Sequence, residues 1–262
     1  LSDRACCVVN IDDPASKSVI EATRASLLTF GLLKPAQITA RNVEYSLQGT
    51  KFQLVTPEGN IDISLNLAGQ PNVYNALTAC GLGLACGLSL KAVKAGLESL
   101  SSVSGRFQRV SAGQDYEVVV DYAHTPQELE RVLITARQLT KGRLITVFGC
   151  GGDRDRGKRP LMGTAVAEHS DIVIVTSDNP RTEDPLSIIN DILPGLKEGS
   201  YQIVADRRQA IFQAVAQAQK GDLVMIAGKG HEDYQIIGAE RIHFDDREAA
   251  LEAIGFRSQG QG

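Results

Sequence analysis

Long uncharged hydrophobic runs are missing from this 262-residue chain. The longest, from Ala76 to Leu90, is interrupted by glycines and falls short of the ~20 apolar residues that a bilayer-spanning helix needs. No membrane partner is therefore expected. The opening residues lack the basic, apolar, small-residue order of an export signal, so export is not expected either. Cysteine is scarce: Cys6, Cys7, Cys80, Cys86 and Cys150 are an odd set without metal-ligand spacing. Buried thiols in a reducing cytoplasm are the expected reading. Positive charge is not in excess either. Lys plus Arg is 27 against 31 Asp plus Glu, a net charge of −4. That balance excludes a general nucleic-acid or anionic-membrane binder and leaves room only for local basic clusters. Internal repeats and low-complexity tracts are absent, apart from the Gly/Gln-rich Ser258–Gly262. The phosphate-loop pattern G-x-x-x-x-G-K-[ST] occurs nowhere.

What is present is globular in composition, 43% apolar and 22% charged. The length suits one large domain or two modest ones. Ala5–Asn10 reads as a strand stopped by Asp12-Asp13-Pro14, and Ser16–Leu28 as a helix. Short β-type runs follow at Val43–Leu47, Lys51–Thr56 and Ile61–Leu65, with Pro57–Asn60 as a hairpin turn. Asn72–Leu88 and Leu90–Leu100 read as two helices. A new unit starts near Ser101–Ser104. After it, strands at Glu117–Asp121, Leu144–Phe148, Ile172–Thr176, Gln202–Val204 and Leu223–Ala227 alternate with helices near Gln127–Leu139, Arg159–His169, Pro185–Leu193 and Arg207–Ala218. Continuous apolar strands alternating with helices predict a doubly wound, mostly parallel α/β sheet. Ligands of such sheets bind beyond the carboxyl ends of the strands.

Those ends are where polar residues collect. Asp121-Tyr122-Ala123-His124-Thr125-Pro126 offers a carboxylate, an imidazole and a helix start; an N-cap with an incidental His is the plainer reading. The stretch Gly149–Pro160 combines glycines with Arg154, Arg156, Lys158 and Arg159, partly offset by Asp153 and Asp155. It is an anion-binding loop or a self-paired charge run. Arg154 stands where a dinucleotide fingerprint requires its last Gly. Asp178-Asn179-Pro180-Arg181 sets acceptors beside a guanidinium, a combination that suits a zwitterionic amino acid. An ordinary turn capped by Thr182 would also account for it. Gly228-Lys229-Gly230-His231-Glu232 is expected to open a helix. Asn72 and Asn75, three apart on a helix, present paired amides that suit a purine or serve capping and packing. Gly105-Arg106 lies at the expected domain junction.

Taken together, Asn72–Ala76, Gly105-Arg106, Val118–Pro126, Phe148–Gly163, Asp178–Glu183, Ile189–Leu193 and Ala227–Gln235 resemble, in order, the motifs of the Mur ligases of peptidoglycan synthesis. The resemblance covers essentially the whole chain. It implies that residues 1–102 are the back half of the family's central ATPase domain and 103–262 its C-terminal, Rossmann-like amino-acid domain. The N-terminal UDP-substrate domain, the phosphate loop, the magnesium ligands and the carbamylated Lys would lie upstream of Leu1.

The resemblance further implies ATP and Mg2+ as cofactors, with no metal ligand in this chain. It implies two substrates, UDP-N-acetylmuramoyl-L-alanyl-D-glutamate and meso-2,6-diaminopimelate, joined through an acyl phosphate. A cytoplasmic monomer without a nucleic-acid partner is expected. By motif, Asn72, Asn75, Arg106 and Asp121 would contact nucleotide, and His124 would be catalytic at the nucleotide–substrate junction. Arg154, Asp178, Asn179, Arg181, Gly228 and Glu232 would bind diaminopimelate. The Asp-Asn-Pro-Arg run is the family's diaminopimelate signature, since lysine-adding members lack its Arg. The alternatives are a lysine-adding Mur ligase, a Rossmann-type oxidoreductase domain and an inactive binding module.

Overall fold

Strands built mostly of Val, Ile, Leu and Phe cannot leave a face in water, so they pair and are covered on both sides. The computed structural model, which describes residues 5–260, divides into two units at Ser102/Val103, each with its own core.

In the first unit, β1 (Cys6–Asn10) pairs in parallel with β2 (Ser26–Phe30), and α1 (Ser16–Ala22) connects them. An antiparallel sheet follows, β3 (Thr39–Ser46), β4 (Gly49–Thr56) and β5 (Gly59–Leu65), in that order. Helices α2 (Gln70–Ala85) and α3 (Leu90–Ser99) complete the unit. Its core gathers Phe30, Ile38, Phe52, Leu54, Ile63, Val73 and Leu77. Each such side chain, fully buried, contributes about 1.5–3 kcal/mol. The expected helix Ser16–Leu28 is too long. It stops at Ala22, because Thr23 is extended and Leu27 and Leu28 pair with Cys7 and Val8 of β1. Strand pairing here overrides the helix propensity of leucine. The β4–β5 turn is shorter than expected, since Gly59 and Asn60 already belong to β5.

The second unit holds β6 (Gln108–Arg109), β7 (Glu117–Asp121), α4 (Pro126–Leu139), β8 (Leu144–Phe148), α5 (Lys158–His169), β9 (Ile172–Val175), α6 (Pro185–Ile192), β10 (Tyr201–Ile203), α7 (Arg207–Gln217), β11 (Leu223–Ala227), β12 (Tyr234–Ile237), β13 (Glu240–His243) and α8 (Asp246–Gly260). Six strands form one sheet in the order β10-β9-β8-β11-β7-β6, parallel except for β6 against β7. Alternate residues Val118 and Val120, Ile145 and Val147, Val224 and Ile226 meet Ile211, Val215, Ala250 and Ile254 of α7 and α8. The intervening Val119, Thr146 and Met225 are buried as well, toward the opposite face. The doubly wound, mostly parallel sheet is thus as the apolar runs predict.

Register decides where the strand ends fall. Asp121 is opposite Ala227, Val147 opposite Ile226, and Phe148 opposite Val175. The loops after β7, β8, β9 and β11 therefore leave the sheet along one edge.

Two further expectations are corrected. Gly228–Glu232 does not open a helix. Gly228 and Gly230 turn the chain at φ 121° and 54°, and it continues into the antiparallel hairpin β12–β13. Only Cys80 and Cys150 are buried, while Cys6 and Cys7 are half-buried and Cys86 is exposed. Burial pushes the Cys150 thiol up to about 12, so it stays protonated. Among the described residues no helix is long and apolar enough to cross a membrane.

Candidate functional site

The end of β7 is a buried carboxylate. Asp121 accepts hydrogen bonds from the amides of Phe107 (2.7 Å) and Ala123 (2.8 Å). Burial nonetheless pushes its pKa up. Around the ring of Tyr122 stand His124 and His231, at centroid separations of 4.7 and 5.0 Å, and the Arg106 guanidinium at 5.1 Å. His124 Nδ1 lies 2.9 Å from the Tyr122 carbonyl. A carbonyl can only accept, so Nδ1 carries the proton and Nε2 is left open. Lys158 Nζ donates to the His124 carbonyl at 2.9 Å. Thr125 caps α4 by accepting from Glu128 N at 3.3 Å, a device worth about 1 kcal/mol.

The loops after β8 and β9 are fastened to each other. Gly152 N donates to Asn179 O (2.9 Å), and Arg181 Nη1 donates to Gly152 O (2.8 Å). Thr182 Oγ1 donates to Asp153 Oδ1 (2.7 Å), and Asp153 N donates to Glu183 Oε1 (2.6 Å). Glu183 also receives Arg156 and the wholly buried Arg159, which reaches Asp191 of α6 at 2.8 Å. Hydrogen bonds from Arg159 and the Asp153 amide hold Glu183 down at about 2. Gly152 is required by close approach, because a Cβ there would overlap the Pro180 carbonyl. The cap of α6 is Asp184, accepting from Ser187 N at 2.8 Å, and not Thr182.

Arg181 sits at φ 53°, an uncommon conformation for a residue with a side chain and a frequent mark of ligand clamps. Arg154 is exposed and bonds only the carbonyl of Asp153, at 3.3 Å. Both arginines border Gly151. A Cβ on that glycine would lie 2.9 Å from Arg181 Nη1 and 3.8 Å from Arg154 Cγ.

The turn after β11 closes the set. Gly228, at φ 121°, admits the Asp178 carboxylate, whose Oδ2 lies 2.6 Å from where a Cβ would be. Asn179 Oδ1 accepts from Ile236 N (3.0 Å) and Lys229 Nζ (3.1 Å). Asn179 Nδ2 donates to Glu232 Oε2 at 2.9 Å. Lys229 is fully buried, and desolvation lowers its pKa. Beneath the site, Arg207 of α7 and Asp246 of α8 form a fully buried pair at 2.7 and 2.8 Å. Desolvation works against the Arg207 charge, but Asp246 more than offsets it and the pKa rises. The guanidinium also donates to the carbonyls of Ala227 (3.0 Å) and Ser177 (3.3 Å), tying the ends of β11 and β9 together.

Asp178, Asn179, Arg181, Gly228 and Glu232 thus adjoin, with Arg154 over the same loop. Arg106, Asp121 and His124 gather at Tyr122. His231 belongs to the Gly228–Glu232 turn and touches that second group. Asn72 and Asn75 lie on α2 of the first unit. Asn75 Nδ2 donates to Asn72 Oδ1 (3.2 Å), while Asn72 Nδ2 donates to the Ala68 carbonyl (2.8 Å). Asn72 is therefore occupied, and the exposed Asn75 is the amide open to a ligand. Arg207 and Asp246 were not singled out by sequence, and Lys229, Arg159 and Glu183 stood out only as members of the Gly228–Glu232 turn, the basic Gly149–Pro160 stretch and the Asp178–Glu183 motif. The signal for Lys229 was its place in a Gly-Lys-Gly turn just beyond a continuous apolar run. Among the described residues no group of three or more His, Cys, Asp or Glu could hold a metal ion.

Two guanidiniums beside two carboxylates and a carboxamide suit a ligand bearing both carboxylate and ammonium groups. Residues 105–230 match the family described as "Mur ligase, glutamate ligase domain", and residues 1–83 the "Mur ligase middle domain". The chain belongs to the Mur ligase family. Over 247 residues this Mur ligase chain is 49% identical to the UDP-N-acetylmuramoyl-L-alanyl-D-glutamate–2,6-diaminopimelate ligase of Bacillus licheniformis, covering 94% of the chain and 51% of that protein. Identity to the ligase of the same name from Clostridium botulinum is 47% over 249 residues, again 94% of the chain and 52% of that protein. A solved structure of a ligase of that name superposes with a TM-score of 0.69 at 39% identity, covering 97% of the chain and 54% of that structure. A MurF ligase from Thermotoga maritima in complex with ADP, 17% identical, shares the fold with a TM-score of 0.67 over 100% of the chain and 55% of that structure. The chain spans about half the length of the curated relatives it matches.

Proposed function

We propose that the protein carrying this chain is an ATP-dependent ligase that adds meso-2,6-diaminopimelate to UDP-N-acetylmuramoyl-L-alanyl-D-glutamate. The observation that carries this reading is Arg181, held over Gly151 and Gly152 beside Asp178 and Asn179, in a Mur ligase chain. In this reading residues 1–102 are part of the central nucleotide domain and 103–262 are the amino-acid domain. The enzyme works as a cytoplasmic monomer.

Arg181 and the remaining N–H of Asn179 take the carboxylate at the far end of diaminopimelate, and Asp178 and Glu232 its neighbouring ammonium. Gly228 leaves room for that acid. Arg154 takes the carboxylate common to diaminopimelate and lysine. The free amine is thereby fixed in line for attack, which converts an encounter into an oriented reaction. ATP supplies the phosphoryl group that activates the D-glutamyl carboxylate, so that phosphate leaves as the amide forms. Asn75, Arg106 and Asp121 would face the nucleotide, with Asn72 orienting Asn75. His124 presents Nε2 at the nucleotide–substrate junction. The described side chains form no cage for magnesium, and its ligands are assigned to the rest of the ligase.

The test compares kcat/KM for meso-diaminopimelate and L-lysine in the full-length ligase, wild type and Arg181→Ala. Lysine leaves the half-buried Arg181 without a carboxylate partner, at a cost of up to about 5 kcal/mol, or up to roughly 5,000-fold. Equal use of lysine by the wild type, or a ratio unmoved by Arg181→Ala, defeats the assignment.

A further inference from the structure

One buried charge at this edge has no part in the reaction as described. Lys229 has no exposed surface. The glycines on either side, at φ 121° and 54°, turn the backbone so that the side chain runs inward. An ammonium out of water needs close partners. Those of Lys229 are Asn179 Oδ1 at 3.1 Å, Glu232 Oε2 at 3.4 Å and the Tyr234 ring at 5.5 Å.

We propose that Lys229 is a positioning residue for the amine substrate, fixing which way the Asn179 carboxamide and the Glu232 carboxylate face. The proposal rests on the diaminopimelate reading of the site. The carboxamide oxygen of Asn179 accepts from the Ile236 amide at 3.0 Å and from Lys229, so both its lone pairs are engaged. The oxygen is locked inward and the NH2 outward. One N–H goes to Glu232 Oε2 at 2.9 Å, and the other is free for a substrate oxygen. Glu232 is pinned in turn, with Lys229 and Asn179 on Oε2 and the Tyr234 hydroxyl donating to Oε1 at 3.3 Å. Without the ammonium, a half-turn of the carboxamide would present an acceptor where the substrate needs a donor. Glu232 would also lose its only cationic partner among the described residues.

Steady-state kinetics of the full-length ligase test this, with wild type, Lys229→Met and Lys229→Gln. Losing a charged donor of this kind is expected to raise KM for meso-diaminopimelate about tenfold or more in Lys229→Met. KM for ATP and for the UDP-linked dipeptide should stay within about twofold. Lys229→Gln keeps an N–H for Asn179 and should fall between. A lysine that served only the fold would lower the melting temperature and leave all three KM values alone. That result, in a variant shown folded by its melting curve, overturns the proposal. Should Lys229→Met not fold, Lys229→Gln decides by the same measurement: a rise of about threefold or more in the diaminopimelate KM supports the role, and an unchanged KM removes it. A wild-type enzyme that does not saturate with meso-diaminopimelate overturns the substrate reading itself, and this role with it.

Discussion

Gly152 and Pro180 are packed so closely that the carbonyl of Pro180 occupies the space a side chain at Gly152 would need. The amide of Gly152 donates to Asn179 O at 2.9 Å in the same contact. Gly152→Ala must push the two loops apart. Overpacking of this kind costs about 1–3 kcal/mol. Urea unfolding should show that loss, and KM for the amino acid should rise with KM for ATP unchanged. A variant with wild-type stability and kinetics would mean that the loops give way freely.

The buried pair Arg207–Asp246 is expected to be far costlier to halve than to remove. Asp246→Leu alone leaves a buried guanidinium without its carboxylate partner, a loss of about 3–5 kcal/mol. Arg207→Met with Asp246→Leu should recover most of it. Urea midpoints for the two single variants and the double variant check this, and additive losses would contradict it.

Acid should loosen the loop through Glu183. Its folded pKa of about 2 lies below the ordinary 4.5. A lowered carboxyl pKa gives stability that is complete above the unfolded value and is lost as pH falls toward the folded one. The melting temperature of Glu183→Gln should therefore fall well below wild type at pH 6 and approach it near pH 2.5. A gap that stays constant across that range would refute the ion-pair role.

The 262-residue chain by itself should release no phosphate from ATP above a buffer blank, even with saturating magnesium. Its sequence contains no G-x-x-x-x-G-K-[ST] loop to cradle the β- and γ-phosphates. A phosphate-release assay on a preparation free of longer ligase decides it.

Strands β7, β8 and β11 are legible to the residue. Each is an apolar run closed by a turn, and a strand buried on both faces leaves no other pattern. The hairpin β12–β13 was not legible because Glu240–His243 is exposed throughout and carries no hydrophobic alternation. Strand β2 was hidden because Leu27-Leu28 is as good a helix as a strand until β1 lies beside it. The polar residues beyond the strand ends stood out, since a bare connection has no use for Asp, Asn and Arg together. Their supports did not. Arg207 and Asp246 are 39 residues apart, and nothing local marks either as half of a pair. Lys229 stands out in sequence only as part of a glycine turn beyond an apolar strand, and the fold alone shows that it is enclosed.

Most fastenings of the Asp178–Glu183 loop are distinct from the side chains that would meet the substrate. Glu183, Thr182 and Asp153 hold the loop in place, while Arg154 extends from the neighbouring loop after β8 and Arg181 adds one bond to Gly152. An exchange at position 154 therefore leaves the frame standing, and one at position 181 costs it the single side-chain bond to Gly152. Such a division makes specificity evolvable: a new amine can be tried by changing one side chain, and most of the unfolding penalty that usually accompanies pocket mutations is avoided.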